Sequence, residues 1–143
     1  MATWTTADVV NNNVTANTIA DVTGLSFAVS AGVRYWFRFV IPYTAAATTT
    51  GSRWSINGPA NTLLFYRSTY TLTATTETLN AAVTGYNLPA TCNATSVAAG
   101  NVAFIEGVVQ PSVDGTVIAR FASEVTLSAI TAKAGAMVDY QAL

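Results

Sequence analysis

Residues 34–43 of this chain read Arg-Tyr-Trp-Phe-Arg-Phe-Val-Ile-Pro-Tyr, and this stretch decides the fold class. Large apolar side chains stand at every second position, and an alternation with a period of two is the pattern of a β-strand. Bulk on the second face as well indicates a strand that is covered on both sides. Pro42 lacks the backbone N–H that a strand ladder uses, so the strand is predicted to end there. One face is predicted to carry Tyr35, Phe37, Phe39 and Ile41, and the other Trp36, Arg38 and Val40.

Shorter runs of the same kind lie on both sides of this stretch. They predict strands at residues 25–29, 53–57, 63–67, 70–75, 102–110, 116–125, 129–133 and 136–140. Short strands separated by turn residues are typical of a sandwich or a jelly roll. The fold class is therefore predicted to be all-β: a single-domain antiparallel β-sandwich, jelly-roll-like, with eight to ten strands. The sandwich is assigned to residues 25–143, and residues 1–24 to an N-terminal arm or an edge strand.

Two hairpins are expected near the C-terminus. Residues 102–110 and 116–125 are separated by a turn that contains Pro111, Asp114 and Gly115. The register set by that turn places Glu106 directly opposite Arg120. We predict a structural ion pair there, which stabilises the hairpin by about 0.2–1 kcal/mol. A second hairpin is expected over residues 129–140.

The composition is unusually poor in groups that carry chemistry. Charged residues make up 9% of the chain, against about 25% in a typical soluble domain. Histidine is absent, which excludes Ser-His-Asp and Cys-His arrangements and the zinc sites that use imidazole. Cys92 is the only cysteine, so no disulfide can form within the chain. We therefore expect no enzyme, and no catalytic, metal or cofactor site.

The charges also bear on possible partners. The net charge is −1, and the few basic residues are scattered along the chain. Nucleic-acid binding needs clustered lysine and arginine, so no nucleic-acid partner is predicted. No apolar run approaches the length of a membrane span, so no membrane partner is predicted either.

Three aromatic side chains, one arginine and the Leu88-Pro89 pair are the candidates for contact with other proteins. Large rings dominate both protein cores and subunit interfaces. Arg38, between two phenylalanines, can anchor a carboxylate of a partner, or it can lay its stem on apolar surface and pair locally. The candidate interface residues are Trp4, Trp36, Arg38, Tyr86, Leu88 and Pro89.

Several segments resemble small structural proteins from the virions of tailed bacteriophages. The segments that carry the resemblance are YWFRF (35–39), IPY (41–43), AAATTTG (45–51), WSINGP (54–59), IEG (105–107), ARFASE (119–124) and AKAG (132–135). The resemblance implies a β-sandwich, often jelly-roll-like and often trimeric. Such a protein decorates or cements a capsid, or forms the knob of a fibre. It implies no active-site residue.

Taken with the composition, the resemblance predicts a capsid decoration or cement subunit. It is expected to form a homotrimer, to bind the major capsid protein and to need no cofactor. The N-terminal residues lack the pattern of a signal peptide, so we expect synthesis in the host cytoplasm and location in the virion. The alternative is a head- or tail-fibre domain that binds a host surface glycan.

Overall fold

The computed structural model describes all 143 residues, and it contains eleven β-strands and no α-helix. No segment forms a helix that is long and apolar enough to cross a membrane. The all-β prediction is confirmed, with one strand more than the upper expected number. The strands are β1 (Ala2–Trp4), β2 (Val9–Asn11), β3 (Ala20–Val29), β4 (Tyr35–Ala45), β5 (Ser52–Asn57), β6 (Asn61–Thr73), β7 (Thr76–Val83), β8 (Asn101–Pro111), β9 (Gly115–Ser123), β10 (Ile130–Ala132) and β11 (Met137–Ala142).

These strands form two antiparallel sheets that enclose one core. The larger sheet has eight strands, of which six follow the order β1-β11-β4-β8-β6-β7. Its other two strands extend it beside β4, since β10 pairs with β4 and with β2. The smaller sheet has three strands in the order β3-β9-β5. The predicted antiparallel sandwich is therefore present.

The connectivity is that of a jelly roll from which one strand is missing. Placing β3-β9-β5 over β4-β8-β6-β7 gives the jelly-roll strand order, except that no strand follows β5 in the smaller sheet. Residues 84–100 run along β5 in that place without forming a strand. The Asn87 N–H donates to the Ile56 carbonyl at 2.9 Å, and the Asn93 N–H to the Ser52 carbonyl at 3.0 Å.

The core is built on the inner face of β4, as its alternation predicts. Tyr35, Phe37, Phe39, Ile41 and Tyr43 are buried there. From the smaller sheet, the buried Trp54 ring stacks on Phe121 with the ring centroids 5.0 Å apart. Burying a large apolar side chain contributes about 1.5–3 kcal/mol, so this core supplies the main stabilisation.

The predicted end of the central strand is wrong, because β4 continues through Pro42 to Ala45. The Pro42 carbonyl accepts a hydrogen bond from the Lys133 N–H, at the gap between β10 and β11. A residue's N–H points to the same side of a strand as its carbonyl, so the missing N–H of Pro42 also faces this gap. The proline thus removes no bond from a continuous ladder.

The predicted hairpins and the Glu106–Arg120 ion pair are also wrong. The strands β8 and β9 lie in different sheets, because the connection after Pro111 crosses the sandwich instead of turning back within one sheet. Glu106 is paired in register with Arg38 and Arg67, whereas Arg120 binds Asp21 with Nε 2.8 Å from Oδ1. The strands β10 and β11 do not pair with each other; both pair with β4.

The N-terminal residues lie at edges of the larger sheet. The strand β1 pairs with β11, and β2 pairs with β10. The next strand, β3, begins at Ala20, so it crosses the boundary expected after residue 24.

Candidate functional site

The six-stranded path β1-β11-β4-β8-β6-β7 has an outward side that no part of the chain covers. Along β4 and β8 every second residue is buried, so the residues between them point away from the core. Antiparallel register then aligns these outward residues into rows across the strands. We call this surface the outer sheet face; three of its rows, named below as the charged, long apolar and short aromatic rows, form the candidate site.

The charged row alternates in sign across four strands. Asp139, Arg38, Glu106 and Arg67 are successive register partners on β11, β4, β8 and β6. The Arg38 Nε lies 3.9 Å from a Glu106 oxygen, and both side chains are 48% exposed. An exposed ion pair at this distance adds little to stability. The charged groups of this row therefore remain largely available to bind charged groups of a partner.

Neighbouring aromatic rings and the chain start contact this row. The Arg38 guanidinium lies over the Phe104 ring, 5.3 Å from its centroid. The Trp36 Nε1 donates to Glu106 at 3.3 Å. The Met1 ammonium lies 3.3 Å from Asp139, whose side chain remains 48% exposed. These contacts orient the charged groups without covering them.

Rows of mainly apolar residues lie on both sides of the charged row. The long apolar row consists of Trp4, Met137, Val40, Phe104, Thr69 and Leu79, one on each of the six strands. The short aromatic row consists of Gln141, Trp36, Val108 and Phe65. Trp4 is 64% exposed, Leu79 52% and Phe65 48%. Contiguous exposed apolar surface rimmed by polar groups is typical of interaction sites.

The structure brings together only half of the candidate interface residues. Trp4, Trp36 and Arg38 all lie on the outer sheet face. Tyr86, Leu88 and Pro89 instead belong to residues 84–100, beside the smaller sheet. The Tyr86 hydroxyl donates to the Pro59 carbonyl at 2.8 Å, and the carbonyls of Leu88 and Pro89 accept from Tyr66 and Arg53. These last three residues hold that segment in place.

A buried arginine that the sequence analysis did not single out holds the same segment. Arg53 in β5 is only 7% exposed and forms no ion pair. Its Nη1 donates to the carbonyls of Asn87 and Pro89 at 2.9 and 2.8 Å, and its Nε and Nη2 donate to Asn17. Burial lowers the pKa of the guanidinium. We call Arg53 with these acceptors the Arg53 clip; it ties residues 84–100 and Asn17 to the smaller sheet.

Cys92 lies next to this clip. Its Sγ is 3.4 Å from the Asn17 side-chain oxygen and 3.7 Å from the Ala122 carbonyl. Burial raises the pKa of the thiol to about 11, with the nearby Arg53 acting weakly in the opposite direction. Since the thiolate is the reactive form, this cysteine is suited to packing and not to nucleophilic attack.

Metal ligands do not cluster in the structure, because no three histidine, cysteine or acidic side chains come together where they could hold an ion. Comparison with protein-family models, with curated proteins and with solved structures finds no match. The geometry of the outer sheet face and the resemblance carried by the sequence segments are therefore the features that bear on function.

Proposed function

We propose that this protein is a non-enzymatic structural subunit of a tailed-bacteriophage virion, of the decoration or cement type, which assembles through its outer sheet face. The observation that carries the proposal is the combination on that face of exposed Trp4, Leu79 and Phe65 with an alternating row of charges. A cement subunit acts by adding buried interface between neighbours in a shell.

The rest of the molecule supports a role of this kind. Thr, Ser, Asn and Ala occupy most of the exposed positions of a chain in which only 9% of residues are charged. Covering such a surface has a low desolvation cost, and its hydroxyl and amide groups can still form hydrogen bonds across an interface. The Arg53 clip fixes the one long irregular segment, which limits the entropy lost on assembly.

The direct test is the composition of purified virions of the phage that encodes this sequence. Mass spectrometry of intact particles and of their proteins should find it in hundreds of copies, and particles depleted of it should lose resistance to heat. A few to a few dozen copies would instead indicate a fibre or tail part. Virions that contain none of it would refute the proposal.

A pair of matched variants tests whether the outer sheet face is the surface used. Phe65 lies on that face and is 48% exposed, whereas Val113 is 50% exposed in the connection between β8 and β9. Phe65→Ser should lower the occupancy of the protein on virions about tenfold, since large buried rings dominate interfaces. Val113→Ser is the control and should leave occupancy unchanged. Equal occupancy for both variants would exclude this face.

A fibre domain that binds a host glycan is the second candidate. It is favoured by one observation, the exposed indole of Trp4 on the same face as Trp36 and Phe65. In that role the protein should bind purified host envelope, and Trp4→Ala should abolish the binding. The homotrimer and the contact with the major capsid protein stay predictions of the resemblance, to be checked by the stoichiometry in virions.

A further inference from the structure

We propose that the partner of the outer sheet face is a second copy of this chain, packed face to face about a two-fold axis that runs parallel to the strands between β4 and β8. The inference specifies a partner for the surface named above, and so it rests on the proposed assembly role. It follows from a self-complementarity of charge and of apolar residues across the six strands.

The charged row complements itself under this rotation. The axis lies at the middle of the row, with Asp139 and Arg38 on one side and Glu106 and Arg67 on the other. A two-fold rotation reverses the order of the row, so a copy laid on top reads positive, negative, positive, negative. Arg38 then faces the partner's Glu106, and Asp139 faces the partner's Arg67. Each contact occurs twice, because a two-fold interface uses the same patch on both copies.

The long apolar row complements itself in the same operation. The rotation exchanges β4 with β8, β11 with β6 and β1 with β7, which are the symmetric positions of the six-stranded path. Val40 then meets the partner's Phe104, and Trp4 meets the partner's Leu79. Trp4 and Leu79 are the most exposed members of this row. One operation therefore covers its most exposed apolar side chains and pairs all four charges of the charged row.

The size and shape of the face fit such a pair. Six strands about 4.8 Å apart and three rows about 7 Å apart cover roughly 600 Å² on each copy, which is at the lower end of specific interfaces. Packed sheets keep their strand directions within about 30° of each other, and a two-fold axis parallel to the strands meets this condition with the rows of the two copies aligned. These values indicate a reversible dimer whose population depends on concentration.

Charge also discriminates against a polyanionic partner. The two basic and two acidic side chains of the charged row cancel, and Glu77 lies on β7 at the end of the same face. A nucleic acid or an anionic glycan requires a net positive surface. A second copy of the chain satisfies both signs.

The test uses two charges that cannot contact each other within one chain. Asp139 on β11 and Arg67 on β6 are three strand positions apart, about 14 Å. Any direct contact between these two residues is therefore a contact between copies. Sedimentation equilibrium of the full chain at low salt, over a series of concentrations, measures the dissociation constant of the dimer.

Single charge reversals should weaken self-association, and the double reversal should restore it. Arg67→Glu places two like charges against each other on both sides of the axis, as does Asp139→Arg, and each should raise the dimer Kd about tenfold or more. The double variant Arg67→Glu/Asp139→Arg recreates both contacts between copies and should return to within about threefold of the wild-type Kd. Within one chain the same double variant places the introduced arginine beside Arg38 and the introduced glutamate beside Glu106, so a purely internal effect would make it worse than either single variant.

Asp21→Lys is the control, since Asp21 pairs with Arg120 in the smaller sheet, on the opposite side of the sandwich from the outer sheet face, and it should leave the Kd unchanged. Circular dichroism on each variant confirms that the sheets are intact. A wild-type protein that keeps a single, concentration-independent mass of one chain overturns the inference, and so does a double variant weaker than both singles. If these results overturn the dimer while the protein is abundant in virions, the assembly role stands and the face binds another protein. A dimer from a protein that is absent from virions would refute the virion role instead.

Discussion

Arg53 and Arg38 lie on neighbouring strands in the sequence, and both point away from the core, yet their surroundings are opposite. Arg53 is covered by residues 84–100, is 7% exposed and donates to backbone carbonyls and to Asn17. Arg38 is 48% exposed and lies 3.9 Å from its nearest carboxylate oxygen. In a chain with so few charges, the irregular segment that replaces a jelly-roll strand thus decides which arginine stabilises the fold. The other remains available for a partner.

The largest expected effect is the loss of the Arg53 clip. Arg53→Met keeps the apolar stem but leaves the half-buried carbonyls of Asn87 and Pro89 without their donor. Each lost bond involved a charged donor, so the free energy of unfolding should fall by about 2–4 kcal/mol. Urea denaturation followed by tryptophan fluorescence measures this value.

Arg38→Met is the matched control for that measurement. Its exposed side chain should change the free energy of unfolding by less than about 1 kcal/mol at a low protein concentration. If the two variants lose similar amounts of unfolding free energy, Arg53 contributes no more to the stability of the fold than Arg38 does, and the contrast between the two arginines is wrong.

The contact between residues 84–100 and β5 should tolerate no added methyl group where the backbones meet. A Cβ on Gly51 would lie 1.8 Å from the Asn93 carbonyl oxygen, so Gly51→Ala must displace the segment. Overpacking of this kind should lower the free energy of unfolding by about 2–3 kcal/mol. In the control, Gly85→Ala, the added Cβ meets only the flexible Leu88 side chain at 3.1 Å, and the loss should stay below about 1 kcal/mol.

Alkylation of Cys92 reports the same displacement locally. Burial raises its pKa to about 11, so iodoacetamide should react slowly with the wild-type protein at pH 8. Gly51→Ala should speed the reaction about tenfold or more by exposing the thiol. An unchanged rate together with lost stability would mean that the strain is absorbed elsewhere in the fold.

The sequence predicted those features of the fold that local periodicity encodes. The inner face of β4 follows from alternation along ten residues, and so does the all-β class. The pairing of β8 was mispredicted because both β8 and β9 alternate, and a short connection looks the same whether it turns back or crosses to the other sheet. Whether β8 and β9 pair or lie in different sheets depends on how the whole sandwich closes, and no local sequence pattern encodes this.

The two functional regions were less predictable for a similar reason. The acceptors of Arg53 include backbone carbonyls from residues more than 30 positions away, and carbonyl groups leave no signature in a sequence. Trp4 and Arg38 share a face only because β11, from the opposite end of the chain, pairs with both of their strands. Because the chain has so few charges, the sequence does identify each arginine as a candidate for substitution.

A smaller effect on stability distinguishes the ion pair in the structure, Arg120 with Asp21, from the Glu106–Arg120 pair expected from the sequence. Arg120 is 21% exposed and lies 2.8 Å from Asp21, while Glu106 is in the other sheet. A double-mutant cycle of Asp21→Asn with Arg120→Met should show a coupling of about 0.5–1 kcal/mol, and the cycle of Glu106→Gln with Arg120→Met should show none within about 0.3 kcal/mol. Measurable coupling in the second cycle would restore the hairpin register that the fold excludes.

The smallest expected effect concerns an exposed pair that resembles Arg38 and Glu106 in its surroundings. The Asp8 carboxylate accepts hydrogen bonds from the Lys133 ammonium at 2.6 Å and from the Ala134 N–H at 2.8 Å. These bonds, the one from Lys133 first, lower the pKa of Asp8 in the folded protein. A lowered folded pKa gives stability that is present above the unfolded value, about 3.9, and is lost as the pH falls through the folded value. Wild type should therefore lose more stability than Asp8→Asn between about pH 5 and pH 2, a difference that 1 M salt should reduce by screening. Urea midpoints at these pH values measure the difference. If the stability of the two proteins falls equally as the pH is lowered, even this short exposed pair leaves stability unchanged. The Arg53 clip would then be the main contribution of charge to this fold.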